Sequence, residues 1–159
     1  MSAKNIKDGK LLFDDIKYIS NAKYDNIQKR CQISKGDFLL TKSGSLGMPA
    51  LVEADFPFGV FESLAVLKCD RERLNGLFLH SQVSTDAFQS RLLRGVKGIA
   101  VKHLHLNVIG ETEIIVSPID IQNQFANFVA LADKSKSVVQ KSIETLQTLK
   151  ASLMQRYFG

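Results

Sequence analysis

The sequence predicts an α/β (α+β) protein: one domain with a small mixed sheet and short helices over residues 1–116, followed by a long coiled-coil helix over residues 117–159. Three observations carry this expectation. Apolar runs punctuated by glycine, the mark of short strands and turns, occupy residues 36–69. Apolar residues at helical spacing follow over 74–93. After Pro118 there is no further proline and the one remaining glycine is Gly159, so nothing breaks a helix between about residues 121 and 157.

Taken in order, residues 1–35 are polar and turn-rich, without the pattern of a domain's first element. KDGK at 7–10 marks a tight turn, and IKYI at 16–19 reads as a short strand. From Gly36 the pattern sharpens: FLLTKS is a strand from Phe38, GSLG turns the chain, and PALVEA returns as a second strand, a hairpin-like pair. In GVFESLAVLKC at 59–69, Val60, Glu62 and Leu64 alternate with Phe61, Ser63 and Ala65 before the run becomes apolar, as in a buried third strand. Charged residues at 70–73 close it. Leu74, Leu77, Phe78 and Val83 then fall at helical spacing, and Ser84 or Thr85 caps a second short helix through Leu93 that ends at Gly95. GVKGIAV has backbone freedom at Gly95 and Gly98, HLHLNVI at 103–109 is a helical turn or an irregular segment, and TEIIV at 112–116 is a last strand. Ser117 or Asp120 caps the long helix, with Pro118 in its first turn.

At ~1.5 Å per residue, a helix over 121–157 is roughly 55 Å long, more than the diameter of a domain built from the preceding residues. Phe125, Ala132, Val139, Leu146 and Leu153 recur every seven residues, with Phe128, Ser135, Ser142 and Leu149 as the companion row. This is a seam for a partner helix, and its dimerisation residues are Phe125, Phe128, Ala132, Val139, Leu146, Leu149 and Leu153. The serines and sparse flanking charges make it weaker than a leucine-rich zipper. The alternative is a long helix folded over its own domain.

The 159 residues suffice for one domain and an appendage, and a hydrophobic content of 45% is ordinary for a globular chain. A formal charge of +5 is a modest basic excess, so its position matters more than its total. Residues 87–110 contain no Asp or Glu, yet hold Arg91, Arg94, Lys97 and Lys102 beside His103 and His105, a footprint suited to phosphates. Cys31 and Cys69 are isolated, which points to reduced thiols rather than a zinc ribbon or disulfide framework. The first ten residues lack the apolar core of an export signal, and no run approaches a membrane span. A cytoplasmic location is the expectation.

The loop TKSGSLG at 41–47 sets a cation, hydroxyls and two glycines between strands, so that Lys42, Ser43 and Ser45 can donate to phosphate or base edges. It is not a Walker loop, since the residue order is wrong and no helix follows; a plain polar hairpin loop is the competing reading. His103 and His105 would share one face of a strand, but no third ligand is near, so a surface or phosphate-facing pair is read ahead of a metal site. Glu111 and Glu113 sit in a turn with no nucleophile or histidine in a recognisable arrangement. There is no P-loop, no glycine-rich cofactor motif, no Asn/Asp-Pro-Pro-aromatic motif of an amino-methyltransferase and no nuclease constellation. The reading is therefore a non-enzyme with no catalytic residue, metal site or cofactor.

GDFLLTKSGSLG at 36–47, GLFLHSQVSTDAFQSRLLRG at 76–95, and GIAVKHLHLNVIGETEIIVSP at 98–118 with Gln124 beyond it resemble, in order and spacing, the specificity (S) subunits of type I DNA restriction-modification systems. The resemblance covers most of the chain. It implies a non-catalytic DNA reader: such subunits carry two target-recognition domains separated by long antiparallel helices that act as a ruler, each domain reading half of a split target. They dock methyltransferase (modification) subunits, and the complex recruits a restriction subunit. This chain has one domain and one helix, and the family's usual segment before KNIKDGKLLFDDIKYI is not seen, so the resemblance implies a half-subunit shortened at its N-terminus. Its implied partners are double-stranded DNA, the modification subunit, the restriction subunit through the complex, and a second S half by helix pairing, expected as a homodimer. Lys42, Ser43, Ser45, Arg91, Arg94, Lys97 and Lys102 are the expected DNA contacts. Two other non-catalytic readings stay open. One is a truncated interaction protein that pairs with or regulates the modification subunit; the other is an unrelated basic DNA-binding dimer.

Overall fold

The computed structural model describes residues 1–94 and 103–159. The described chain forms two compact units, Met1–Ile119 and Asp120–Gly159. The first is an α+β unit of small antiparallel sheets and short helices, and the second consists of nearly the whole of one long helix.

In the first unit a hairpin of β1 (Ile6–Lys7) and β2 (Lys10–Leu11) turns at Asp8 and Gly9, both at positive φ, so the turn expected at KDGK is present. This segment packs against the rest of the unit, although its sequence lacks the pattern of a domain's first element. Ile6 is buried, the Met1 N donates to the Gly59 carbonyl at 2.8 Å, and the Ala3 N donates to Ser63 Oγ at 3.0 Å. Residues 16–19 do not form the expected strand: among the described residues no strand pairs with them, and Tyr18 is 92% exposed. A helix that the sequence reading did not foresee, α1 (Asn21–Arg30), follows directly, with Ser20 Oγ accepting from the Lys23 N as its cap.

The central sheet has the order β4-β3-β5, where β3 is Phe38–Thr41, β4 is Pro49–Leu51 and β5 is Leu64–Leu67. Both pairings are antiparallel, so the sheet is not mixed; these strands follow one another without the helical crossover that parallel pairing needs. The hairpin expected from FLLTKS and PALVEA is β3–β4, and the third strand is shorter than expected, since ladder pairing with β3 begins only at Leu64. Pro49, which lacks a donor, is tolerated on the edge strand β4.

All four residues of β3 are buried, and its alternation divides the core. Phe38 and Leu40 join Ala65 in a cluster with Leu79 and Val83 of α2 (Gly76–Val83), Phe88 and Leu92 of α3 (Asp86–Leu93), and Leu104. Leu39 lies in a second cluster with Ile6, Ala50, Val52 and Leu64. The sheet thus carries helices on one face and the N-terminal hairpin on the other. Both helices start as their sequences dictate: Asn75 Oδ1 accepts from the Leu77 and Phe78 N atoms, and Thr85 Oγ1 accepts from the Phe88 N. Gly95, expected to end α3, lies outside the described residues.

Beyond them, α4 (Leu106–Glu111) is the helical turn foreseen in HLHLNVI. The strand expected at 112–116 does not form. The Gln82 carboxamide instead holds that segment, donating to the Ile115 carbonyl at 3.0 Å and accepting from the Ile115 N at 2.8 Å. One side chain thereby supplies what a neighbouring strand would have supplied. The long helix α5 (Ile119–Phe158) begins just after Pro118 and runs for 40 residues, roughly 60 Å. Every residue from 131 onward is exposed, including Val139, Leu146, Leu149 and Leu153 of the predicted seam.

Candidate nucleic-acid interface

The loop between β3 and β4 is held from beneath by Thr41, the buried last residue of β3. Thr41 Oγ1 donates to the Ser45 carbonyl and accepts from the Met48 N at 2.9 Å. Its backbone N donates to the Met48 carbonyl at 3.1 Å, and its carbonyl accepts from the Gly47 N at 2.9 Å. The loop is therefore an ordered turn rather than a slack one. Gly44 and Gly47 lie at φ +81° and +73°, where residues with a Cβ are strained. Gly44 and Ser45 are exposed at the tip, while Lys42 and Ser43 are half-buried.

Two other segments meet this loop. Gln89 of α3 donates from Nε2 to the carbonyls of Gly47 and Val83, each at 2.8 Å. The backbone approaches α3 so closely at Gly47 that an added Cβ would lie 2.6 Å from Gln89 Oε1 and 3.0 Å from Leu92 Cδ2. On the other side, Ser43 and His103 form an isolated antiparallel bridge, and the Leu104 N donates to the Lys42 carbonyl at 2.8 Å. Leu104 is fully buried beside Phe88 and Leu92, which anchors the crossing segment in the core.

The fold thus joins two stretches that the sequence marked separately. Lys42, Ser43 and Ser45 sit in a loop packed on α3, the helix that carries Arg91 and ends at Arg94. Phe88 and Leu92 fill the core from one side of α3, leaving Arg91 and Arg94 exposed. The Arg91 guanidinium lies 5.6 Å from the centre of the Phe88 ring, a cation–π contact that restrains its stem. Lys97 and Lys102 lie outside the described residues. The sequence reading missed Thr41 and Gln89, whose polar side chains give no sign of the carbonyls they will meet. Such an assembly can offer hydroxyls and cations to an anionic surface.

His103 and His105 come together, with ring centres 5.3 Å apart at an interplanar angle of 69°. Among the described residues, no group of three His, Cys, Asp or Glu side chains could hold a metal ion. The thiol of Cys69 has its pKa pushed up by burial and by the neighbouring Asp37 carboxylate, with Arg71 opposing the shift. Among the described residues, no helix is long and apolar enough to cross a membrane.

No family model matches the chain. It is similar to the type I restriction enzyme EcoBI specificity subunit of Escherichia coli, with 24% identity over 158 residues, which cover 97% of this chain and 33% of that protein. The chain spans about a third of the length of that relative.

Proposed function

We propose that the chain is a DNA-recognition unit of a type I restriction-modification complex: a target-recognition domain at residues 1–116 reads one half of a split DNA target, and the helix at 117–159 sets the spacing to a second reader. The observation that carries this reading is the convergence of the ordered 41–47 loop, the basic end of α3 and the His103 segment on one another. The similarity to a specificity subunit over nearly the whole chain supports it. In this reading Arg91, Arg94, Lys97 and Lys102 anchor phosphates, while Lys42, Ser43 and Ser45 approach the bases from the loop. The chain itself performs no chemistry. A modification subunit docked on it methylates the DNA, and a restriction subunit joins through the complex.

The second reader is a second copy, paired through the exposed stripe of α5. An antiparallel pair centred on Val139 sets Ala132 opposite Leu146, a small residue against a large one, and Phe125 opposite Leu153. A parallel, in-register pair would instead set Ala132, Ser135 and Ser142 each against its own copy and leave the seam underfilled.

The test is a gel shift of target and non-target duplexes with a type I modification subunit, with and without this chain. Target preference that depends on the chain is the expected result. A chain that binds the modification subunit without adding preference would instead be a scaffold, and sequence-specific binding with no need of that subunit would make it an independent DNA-binding dimer.

A further inference from the structure

We infer that His103 and His105 discriminate base sequence in the DNA interface, a role separate from the phosphate anchoring assigned to Arg91 and Arg94; the inference rests on the DNA-reading proposal above. Reading a base edge requires a donor or acceptor whose position is fixed by the fold, whereas a phosphate tolerates a mobile cation. The segment 103–105 is fixed at both levels. Its backbone is tied to the loop by the Ser43–His103 bridge and by the hydrogen bond from the Leu104 N to the Lys42 carbonyl. Its middle residue, Leu104, has no exposed surface and packs in the core cluster.

Alternation about a buried Leu104 turns the two flanking side chains away from the core together, and their rings meet edge to face. His105 stands at the N-cap of α4, yet its side chain makes no capping hydrogen bond, so helix stability does not account for it. Nor does metal binding, since no third ligand joins the pair among the described residues. A neutral imidazole carries one donor and one acceptor, the combination that base edges in the major groove can read. With Ser43 in register beside His103, the bridge sets an imidazole and a hydroxyl side by side in one rigid turn.

The experiment compares wild type, His105→Ala and His103→Ala, each with a type I modification subunit present, by fluorescence anisotropy on two probes: a random-sequence duplex, and the duplex most enriched by wild type with that subunit from a random pool. Both variants are expected to reduce the enriched-to-random affinity ratio by roughly tenfold, the order of one good base contact, with random-duplex affinity held within about twofold. An unchanged ratio, or a parallel fall on both probes, overturns the inference. His105 is exposed, so if the half-buried His103→Ala variant unfolds, His105→Ala decides alone. Wild type that binds neither duplex overturns the DNA-reading proposal and this inference with it, whereas wild type that discriminates while His105→Ala discriminates equally overturns the inference alone.

Discussion

Replacing Gly47 by alanine perturbs the joint between the loop and α3, and its cost divides into parts that the geometry distinguishes. A Cβ at φ +73° costs about 1–2 kcal/mol for left-handed backbone alone. The same Cβ would lie 2.6 Å from Gln89 Oε1, and Leu92 Cδ2 at 3.0 Å blocks a shift toward the core. Displacing the Gln89 carboxamide breaks its two hydrogen bonds to the Gly47 and Val83 carbonyls, worth about 1 kcal/mol each. The total is about 3–4 kcal/mol. For a chain of this size that lowers the melting temperature by roughly 6–16 °C.

Gly44 supplies the control. Its φ is +81°, yet an added Cβ meets nothing within 4 Å among the described residues, so Gly44→Ala should cost only the backbone part, about 1–2 kcal/mol. Paired urea or thermal unfolding of the two variants isolates the packing contribution as their difference. Equal destabilisation by Gly44→Ala and Gly47→Ala would refute the claim that α3 is docked on the loop through Gly47 and Gln89.

Arg91→Ala, Arg94→Ala and Lys97→Ala should each weaken binding to all duplexes and reduce the slope of log affinity against log salt by about one unit; an unchanged slope removes that residue from the footprint. Gln82→Ala should lose both hydrogen bonds to Ile115, destabilising the domain by about 1–2 kcal/mol and speeding amide exchange at Ile115, whereas unaltered exchange would contradict the clamp. Because burial and Asp37 disfavour its thiolate, Cys69 should alkylate with iodoacetamide more slowly than a free cysteine at pH 8, the lag shrinking as pH rises. In sedimentation experiments Leu146→Lys, which places a charge in the exposed stripe, should weaken self-association, and an unchanged association would refute pairing through that stripe.

What the sequence made legible follows how local each signal is. Hairpin β3–β4, helices α2 and α3 with the Thr85 cap, and the long α5 all declare themselves within a few residues, by turn glycines, capping side chains or unbroken periodicity. The N-terminal segment did not, because its place in the core depends on distant partners such as Gly59 and Ser63. TEIIV has the residues of a strand, but strand formation needs a neighbour, and its backbone is taken by Gln82 instead. The same holds for the candidate site. Its residue types were readable in TKSGSLG and in the basic run, but the Ser43–His103 bridge and the Gln89 contact join residues more than forty positions apart, and no local pattern announces them.

A chain that reads DNA sequence as one of two spaced halves must select for it. Duplexes drawn from a random pool by this chain together with a type I modification subunit, then sequenced, should be enriched in a split motif whose two halves are related by two-fold symmetry across a gap of fixed length. Enrichment of no motif would refute the DNA-reading proposal.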